Sequence, residues 1–316
     1  TKKHLENVRV LVGLGADFKD MYFKQIADIN LNAPFEQWAE QAPEKWTPIA
    51  DARNEAKFTL PNYYIFRGTY DGDFHEVRNM YINNNKNDQG LFSCIGGGAR
   101  IKNLGVTDVY IKQPSNSAAT LVGCFAVDES DIVISQCWTS GYMECQTACA
   151  IVGTPYISRG VTMLNCQSSV SLENSKTEHA GMPRDAGITS DRHLTGNYLF
   201  TGTMAEKHDK YSGFSVALPC HGYSTNINTY YDTDVYPHYG TADLGRPTAY
   251  LQSKDFVNVL NSFVYEWNTT HDEKLDYWKY SEGKYPQIDP TYQPPYLVTF
   301  ETNGGSNINP MPVDVD

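Results

Sequence analysis

Apolar and polar residues alternate along this chain in short pieces, and the pieces recur. Four-residue corners with apolar first and fourth positions lie at Val77–Met80, Ile101–Leu104, Ile134–Cys137, Met163–Cys166 and Ile227–Tyr230. Their last residues stand 24, 33, 29 and 64 positions apart. The final step equals two turns of the repeat and leaves room for a degenerate unit around Leu194 to Phe200. A second motif precedes the corners, as Phe92-Ser93-Cys94, Val122-Gly123-Cys124 and Val152-Gly153-Thr154, and recurs every 30 residues. A period near thirty built from β-rich pieces predicts a β-solenoid rather than a helical repeat.

Each turn would be a flattened coil of two or three short strands, with equivalent residues stacked about 4.8 Å apart. Strict alternation would send the first and fourth corner residues to opposite faces, so both face inward only if the chain bends between them. Asn at the third position suits that bend, because it tolerates the left-handed backbone and its amide can bond to the next coil. Asn79, Asn103 and Asn165 therefore read as a structural ladder, and Met80, Leu104, Cys137 and Cys166 as one buried column. Two helices break the pattern. Phe256, Val259, Leu260, Phe263, Val264 and Trp267 recur at three-and-four spacing behind an N-capping Ser253, which predicts a lid on the last coil. Leu5, Val8, Leu11 and Val12 predict a short capping helix that stops at Gly13.

Composition narrows the function classes. The 316 residues carry 25 Lys and Arg against 37 Asp and Glu, a net charge of −12. That balance argues against a nucleic-acid groove or an anionic membrane surface. No apolar run approaches the roughly 20 residues that span a bilayer. The seven cysteines, at 94, 124, 137, 145, 149, 166 and 220, include no CxxC pair and mostly lie inside apolar strings. They read as buried thiols rather than as a zinc site or a disulfide framework.

The stretch Phe66-Arg67-Gly68-Thr69-Tyr70-Asp71-Gly72, with Val77–Asn83, Gly90-Leu91-Phe92, Gly96-Gly97-Gly98, Ile101–Val106 and Asp108, resembles the GLUG-repeat β-helices. These occur in bacterial surface proteins and in the N-terminal region of M26 immunoglobulin-A peptidases. Ile26–Leu31 and Trp46–Ile49 resemble the opening segment of that family, and the likeness is strongest over residues 60–170. Tyr296–Ser306, after a Pro294-Pro295 linker, resembles the start of a Listeria–Bacteroides (internalin B-type) repeat. The two resemblances imply a right-handed parallel β-helix within a multi-modular, extracellular protein of a bacterial surface, with both ends of the chain as boundaries inside something longer. The expected organisation is a cap and opening segment over 1–50, coils over 51–245, a capping helix and strand over 246–290, and a linker with a truncated module over 291–316.

The search for chemistry is mostly negative. Gly13-Leu14-Gly15 lacks the rest of a dinucleotide fingerprint, and Gly96-Gly97-Gly98 lacks the Lys of a phosphate loop. His75-Glu76 opens like a zincin helix, but Asn79 stands where the second His belongs. The densest ionisable stretch, residues 173–209 with Glu178, His179, Arg184, Asp185, His193 and Asp209, reads as a solvated loop region. Exposed rings are the remaining lead: Trp138, Tyr142, Tyr231 and Tyr236 are expected along one edge, where rings either pack under a neighbouring loop of the chain or stack against sugars or dock a protein loop. The sequence thus predicts a monomeric, non-catalytic surface module, adhesin-like or a spacer, without cofactor or metal. Its expected partners are host or dietary glycans or a host surface protein. The alternative is a β-helical polysaccharide lyase or glycoside hydrolase, which would need converging acids from at least two coils.

Overall fold

The structure, a computed structural model, describes residues 1–50, 64–126, 131–157, 161–172, 177–179, 193–203, 224–235, 245–300, 305–306 and 310–313. Leu5 and Val12 share one face of helix α1 (Lys2–Gly13), and both are buried in the main core, so this helix seals the first coil. Strands β1 (Tyr22–Lys24) and β2 (Ile29–Asn30) then pair in parallel with β3 (Thr69–Arg78). β4 (Tyr81–Ile82), β5 (Phe92–Gly96), β6 (Arg100–Ala119), β7 (Val122–Ala126), β8 (Ile132–Ser135), β9 (Trp138–Cys149), β10 (Val152–Ile157) and β11 (Val161–Ser168) continue the stack. It ends with β12 (Ser171–Leu172), β13 (Thr177–His179), β14 (His193–Phe200), β15 (Ser224–Asp232) and β16 (Gly245–Arg246).

These strands form one large parallel sheet, in the order β1-β3-β6-β8-β11-β14-β15-β16, and a second parallel sheet, β5-β7-β10. The chain is therefore a parallel β-solenoid, with three stacked rungs in its second sheet. The core is made of columns of like residues. Ile101 lies under Ile134 and Ile134 under Met163; Phe92 lies under Val122 and Val122 under Val152. Each such side chain is fully buried, and burial of a Leu, Ile or Phe stabilises by about 1.5–3 kcal/mol. The expected column of Leu104, Cys137 and Cys166 exists: all three are buried on successive rungs. Cys137 Sγ donates to the Ile101 carbonyl at 3.7 Å, and Cys166 Sγ to that of Ile134 at 3.9 Å. Cys94, Cys124, Cys137, Cys145, Cys149 and Cys166 are all buried; Cys220 lies outside the described residues.

Two corners fall elsewhere than the sequence pattern suggests. Leu104 pairs with His75, not Met80, and Met80 belongs under Val109, since Tyr81 pairs with Tyr110. The cause is a register shift in β3 between Asp71 and His75, where Asp73 and Phe74 both take the left-handed backbone. Asn79 consequently starts a second corner, shared with Asp108 and Gly141. At the other end, the bend falls at Asn228 rather than Thr229, because Tyr198 pairs with Thr229 and Gly196 with Ile227. A one-residue slip exchanges the two faces of a strand.

The main corner is a chain of side-chain amides. Asn103, Gln136, Asn165, Asn197 and Asn228 all have φ between 50° and 54°. Asn228 Nδ2 donates to Asn197 Oδ1 (3.1 Å), and Asn197 Nδ2 to Asn165 Oδ1 (2.9 Å). Lower down, Gln136 Nε2 donates to Asn103 Oδ1 (2.6 Å), and Asn103 Nδ2 to the Asp71 carboxylate (3.0 Å). Every donor points the same way, and the row ends on a group that only accepts. Between Gln136 and Asn165 the backbone of Asp276 is inserted. Its N–H donates to Gln136 Oε1, and its carbonyl accepts from Asn165 Nδ2 at 2.9 Å.

Asp276 arrives there because the C-terminal part runs back along the stack. After α2 (Thr248–Leu251), helix α3 (Lys254–Thr270) starts at Ser253, whose hydroxyl accepts from the Phe256 N–H at 3.2 Å. Its apolar stripe does not close the end of the coil, as its spacing had suggested. It lies along the flank and packs on Leu164, Leu199 and Tyr230 of three successive rungs. Gly196 makes room for this, since a Cβ there would meet Phe263 Cζ at 2.2 Å. The chain then forms a strap over 272–290, with β17 (Trp278–Lys279) antiparallel to β18 (Gln287–Ile288). Trp278 is fully buried, and its Nε1 donates to Asn165 Oδ1 (3.1 Å). β19 (Tyr296–Val298) pairs with β20 (Met311–Val313), which packs back against α3.

Candidate functional site

The second corner places aromatic rings where the first places amides. Asn79 (φ 58°), Asp108 (φ 53°) and Gly141 (φ 124°) turn three successive coils. Gly141 is required there, because a Cβ would lie 2.3 Å from the Val109 carbonyl oxygen. Just past the turn, Tyr81 pairs with Tyr110 and Tyr110 with Tyr142, so three tyrosines rise on one face. The rings of Tyr110 and Tyr142 stack at 5.2 Å and 23°. A 3-10 turn at Phe35–Gln37 lays Phe35 on Tyr110 at 5.3 Å and 17°, and sets Trp38 edge-on to Tyr81 and Tyr110. Trp38 is fixed by a 2.7 Å hydrogen bond from Nε1 to the Ala33 carbonyl. Phe35 remains 57% exposed.

Beside this column runs an open groove of about 670 Å³, floored by Val109, Tyr110 and Tyr142 and edged by Glu36, Arg78 and Asp108. Its volume is in the range of small-ligand sites, roughly 300–1,000 Å³. Arg78 is held in place: Nη2 meets Asp28 at 2.9 Å, and Nε donates to Glu76. The hydrogen bond to Glu76 raises its pKa, so the guanidinium stays charged at the rim. The Glu76 backbone N–H, followed by the charge of Arg78, holds the Asp28 carboxyl below its ordinary range. An aromatic wall with planar polar groups along one edge suits a saccharide, whose C–H faces meet rings and whose hydroxyls meet amides, carboxylates and guanidinium.

The four rings expected along one edge separate. Tyr142 lies in this groove. Trp138 stands on another face, with its indole over Gly105 of the rung below; a Cβ at Gly105 would lie 2.5 Å from Trp138 Cε2. Trp138 Nε1 donates to Glu76 Oε1 at 2.9 Å, and Phe74 stacks beside it at 6.3 Å. Two grooves, of about 370 and 420 Å³, flank it beneath the strap. Tyr231 is corrected: only 5% exposed and part of the core, it pairs with Phe200 and joins no surface ladder. The ring that faces outward at this rung is its neighbour Tyr230, packed edge-on against Phe256 at 5.0 Å. Tyr236 lies outside the described residues, as do Arg184, Asp185 and Asp209 of the ionisable stretch; Glu178 lies in β13. Asp71 is the acceptor at the foot of the amide row.

Phe35, Trp38, Tyr81 and Tyr110 were not among the expected site residues. The signal was present, since Tyr81, Tyr110 and Tyr142 recur close to the thirty-residue step. It is masked because the four-residue corner pattern aligns Met80 with Leu104.

Comparison with known proteins adds little to this geometry. No protein-family model matches the chain, and no solved structure matches it. A putative Gly-rich membrane protein from Evansella cellulosilytica is 28% identical over 134 residues, covering 42% of this chain and 13% of that protein. The chain thus matches a small part of a much longer relative. What the fold itself defines is a parallel β-solenoid with a lateral strap.

Proposed function

We propose that this chain is a non-catalytic, extracellular binding module of a bacterial surface protein, and that it takes saccharide in the groove beside Tyr110 and Tyr142. The observation that carries the reading is the stacked aromatic column next to an open groove with a planar polar rim. The resemblance to GLUG-repeat β-helices supports a surface location, as does the distant likeness to a bacterial protein described as a membrane protein. Among the described residues, Glu76, Asp71 and Asp232 already hold an indole, an amide and a hydroxyl of the fold, which supports a binding rather than a catalytic role for them.

A glycan array probed with the purified chain tests this, with Tyr142→Ala as control. Binding of at least one neutral glycan, reduced about tenfold or more in the variant, is the expected result. A β-helical glycosidase or lyase is the second reading, favoured by the two carboxylates of Glu36 and Asp108 on one groove. Release of reducing ends or unsaturated sugars, abolished by Glu36→Gln or Asp108→Asn, would replace the binding module with that enzyme.

A further inference from the structure

Three side-chain amides and one ammonium group border the groove of about 420 Å³ beside Trp138: those of Gln167, Gln252, Gln287 and Lys284. Among the described residues, none of these four side chains has a hydrogen-bond or ion-pair partner. They come from three separate parts of the chain: β11, the turn after α2, and the strap. Ser169 and Thr201 add hydroxyls from successive rungs. A chain of net charge −12 has placed no carboxylate among the described residues that line this groove.

Three acids near the groove are engaged elsewhere. Glu76, on the far side of Trp138, accepts from the indole and from Thr107 Oγ1 (3.1 Å). Asp289 accepts from Lys279 (3.0 Å) and from the Thr291 hydroxyl (2.6 Å). Asp232 accepts from the hydroxyls of Tyr285 and Thr248. Lys284 thus brings the only charge among the described residues that line this groove, which is otherwise furnished with hydroxyls, amides and an indole; Glu282, two residues away, is exposed and outside the lining. That set matches a polyhydroxylated ring bearing one negative charge: amides and hydroxyls for its hydroxyl groups, the indole for its C–H face, the ammonium for its anion.

We propose that this groove is a second saccharide site, and that it takes a hexopyranose carrying one anionic substituent, a carboxylate or a sulfate. The proposal deepens the reading of the chain as a saccharide-binding module but assigns a separate place and a different ligand charge. The strap supplies Lys284 and Gln287, so this site exists only where the C-terminal part lies on the solenoid. The aromatic groove at Tyr142 takes nothing from the strap.

Calorimetric titration of the full chain with tri-galacturonate, galactose 6-sulfate and lactose separates the possibilities. At least one of the anionic probes is expected to bind, and the one that binds identifies carboxylate or sulfate as the preferred anion. Lys284→Gln, at an exposed position, should weaken that binding roughly tenfold or more, as removal of a charge-assisted hydrogen bond does. Raising the salt should weaken it in the wild type, and Gln252→Ala should weaken it without changing the salt response. Failure of both anionic probes to bind would overturn the proposal. So would an affinity that stays within about twofold in Lys284→Gln, or one lost in Tyr142→Ala instead. Neutral-glycan binding that persists through such a failure would leave the Tyr142 groove standing, so the two readings fail separately.

Discussion

The two corners of the same coil solve one geometric problem and then diverge. Both bend the chain through a left-handed residue, at Asn103, Gln136 and Asn165 on one side and at Asn79, Asp108 and Gly141 on the other. On the first side the bend residues are amides that satisfy one another, and the strap and α3 cover them. On the second, the polar bend residues do not form such a row. The column is made by the rings that follow, and a groove is left open beside it. A corner whose polar groups bond to each other has no capacity left for a ligand; a corner stacked from rings leaves its polar rim available. The difference teaches that on a solenoid, structure and binding are separated by which atoms the column uses up.

The largest effect should come from breaking the closed corner at its centre. Asn165 is fully buried; it donates to the Asp276 carbonyl and accepts from Trp278 Nε1 and Asn197 Nδ2. Asn165→Ala removes three hydrogen bonds, two of them to the buried Trp278 and Asn197, and leaves a non-Gly, non-Asn residue at φ 50°. The expected cost is about 3–5 kcal/mol, read from urea unfolding as a drop in the midpoint. Because Asp276 and Trp278 lose their anchor, the strap should also become more sensitive to protease. A loss under about 1 kcal/mol would mean that the amide row is decorative.

A smaller loss is expected where the strap's helix meets the stack. Gly196→Ala puts a Cβ against Phe263, which must shift, for about 1–3 kcal/mol. By contrast, Tyr110→Ala removes the middle ring of the open corner. It should cost about 2 kcal/mol, the low end for four ring pairs at about 0.5–1.5 kcal/mol each on a half-buried side chain, yet it should abolish neutral-glycan binding. If the opposite held, with Gly196→Ala sparing stability and Tyr110→Ala sparing binding, the division between a closed and an open corner would be wrong.

The coil and part of its closed corner were legible in the sequence, and the limits are physical. The columns through Ile101, Ile134 and Met163, and through Phe92, Val122 and Val152, follow from periodicity alone, because like residues must stack when a coil repeats. The amide row was visible in Asn103 and Asn165. The register of the first coil was not, because the extra residues around Asp73 and Phe74 form a local bulge with no signature except consecutive left-handed residues. That one slip hid the tyrosine column, and a slip of one residue at Asn228 turned the buried Tyr231 into an expected surface ring. The strap could not be foreseen either, since its contacts to Gln136 and Asn165 span 140 and 111 residues. Apolar spacing shows that α3 has a buried face but not which surface it meets.

The mildest test concerns the foot of the amide row, where an acid replaces an amide. Burial pushes the Asp71 carboxyl up, but hydrogen bonds from the Tyr22 hydroxyl, the Asp73 N–H and Asn103 outweigh it and leave the pKa below its ordinary value. The same bond to Asp71 raises the Tyr22 hydroxyl to about 12. A carboxylate with a lowered folded pKa contributes stability that is present above its unfolded pKa and is lost as pH falls through the folded value. A phenol with a raised folded pKa contributes stability that is present below its unfolded value of 10.0 and is lost as pH rises through about 12. Tyr22→Phe should therefore blunt the acid edge of the stability profile and remove the part of the alkaline edge between those two values. Because Tyr22 is 57% exposed, solvent screening keeps the cost at neutral pH to about 0.5–1 kcal/mol. Tyr70 and the other buried tyrosines titrate in both proteins, so the difference between wild type and variant isolates this bond. Urea unfolding of both from about pH 3 to about pH 11 would show that difference shrinking at each end. A difference that stays constant across the range would place Tyr22 outside the row, and Asp71 would then hold its charge through Asn103, the Asp73 N–H and Lys102.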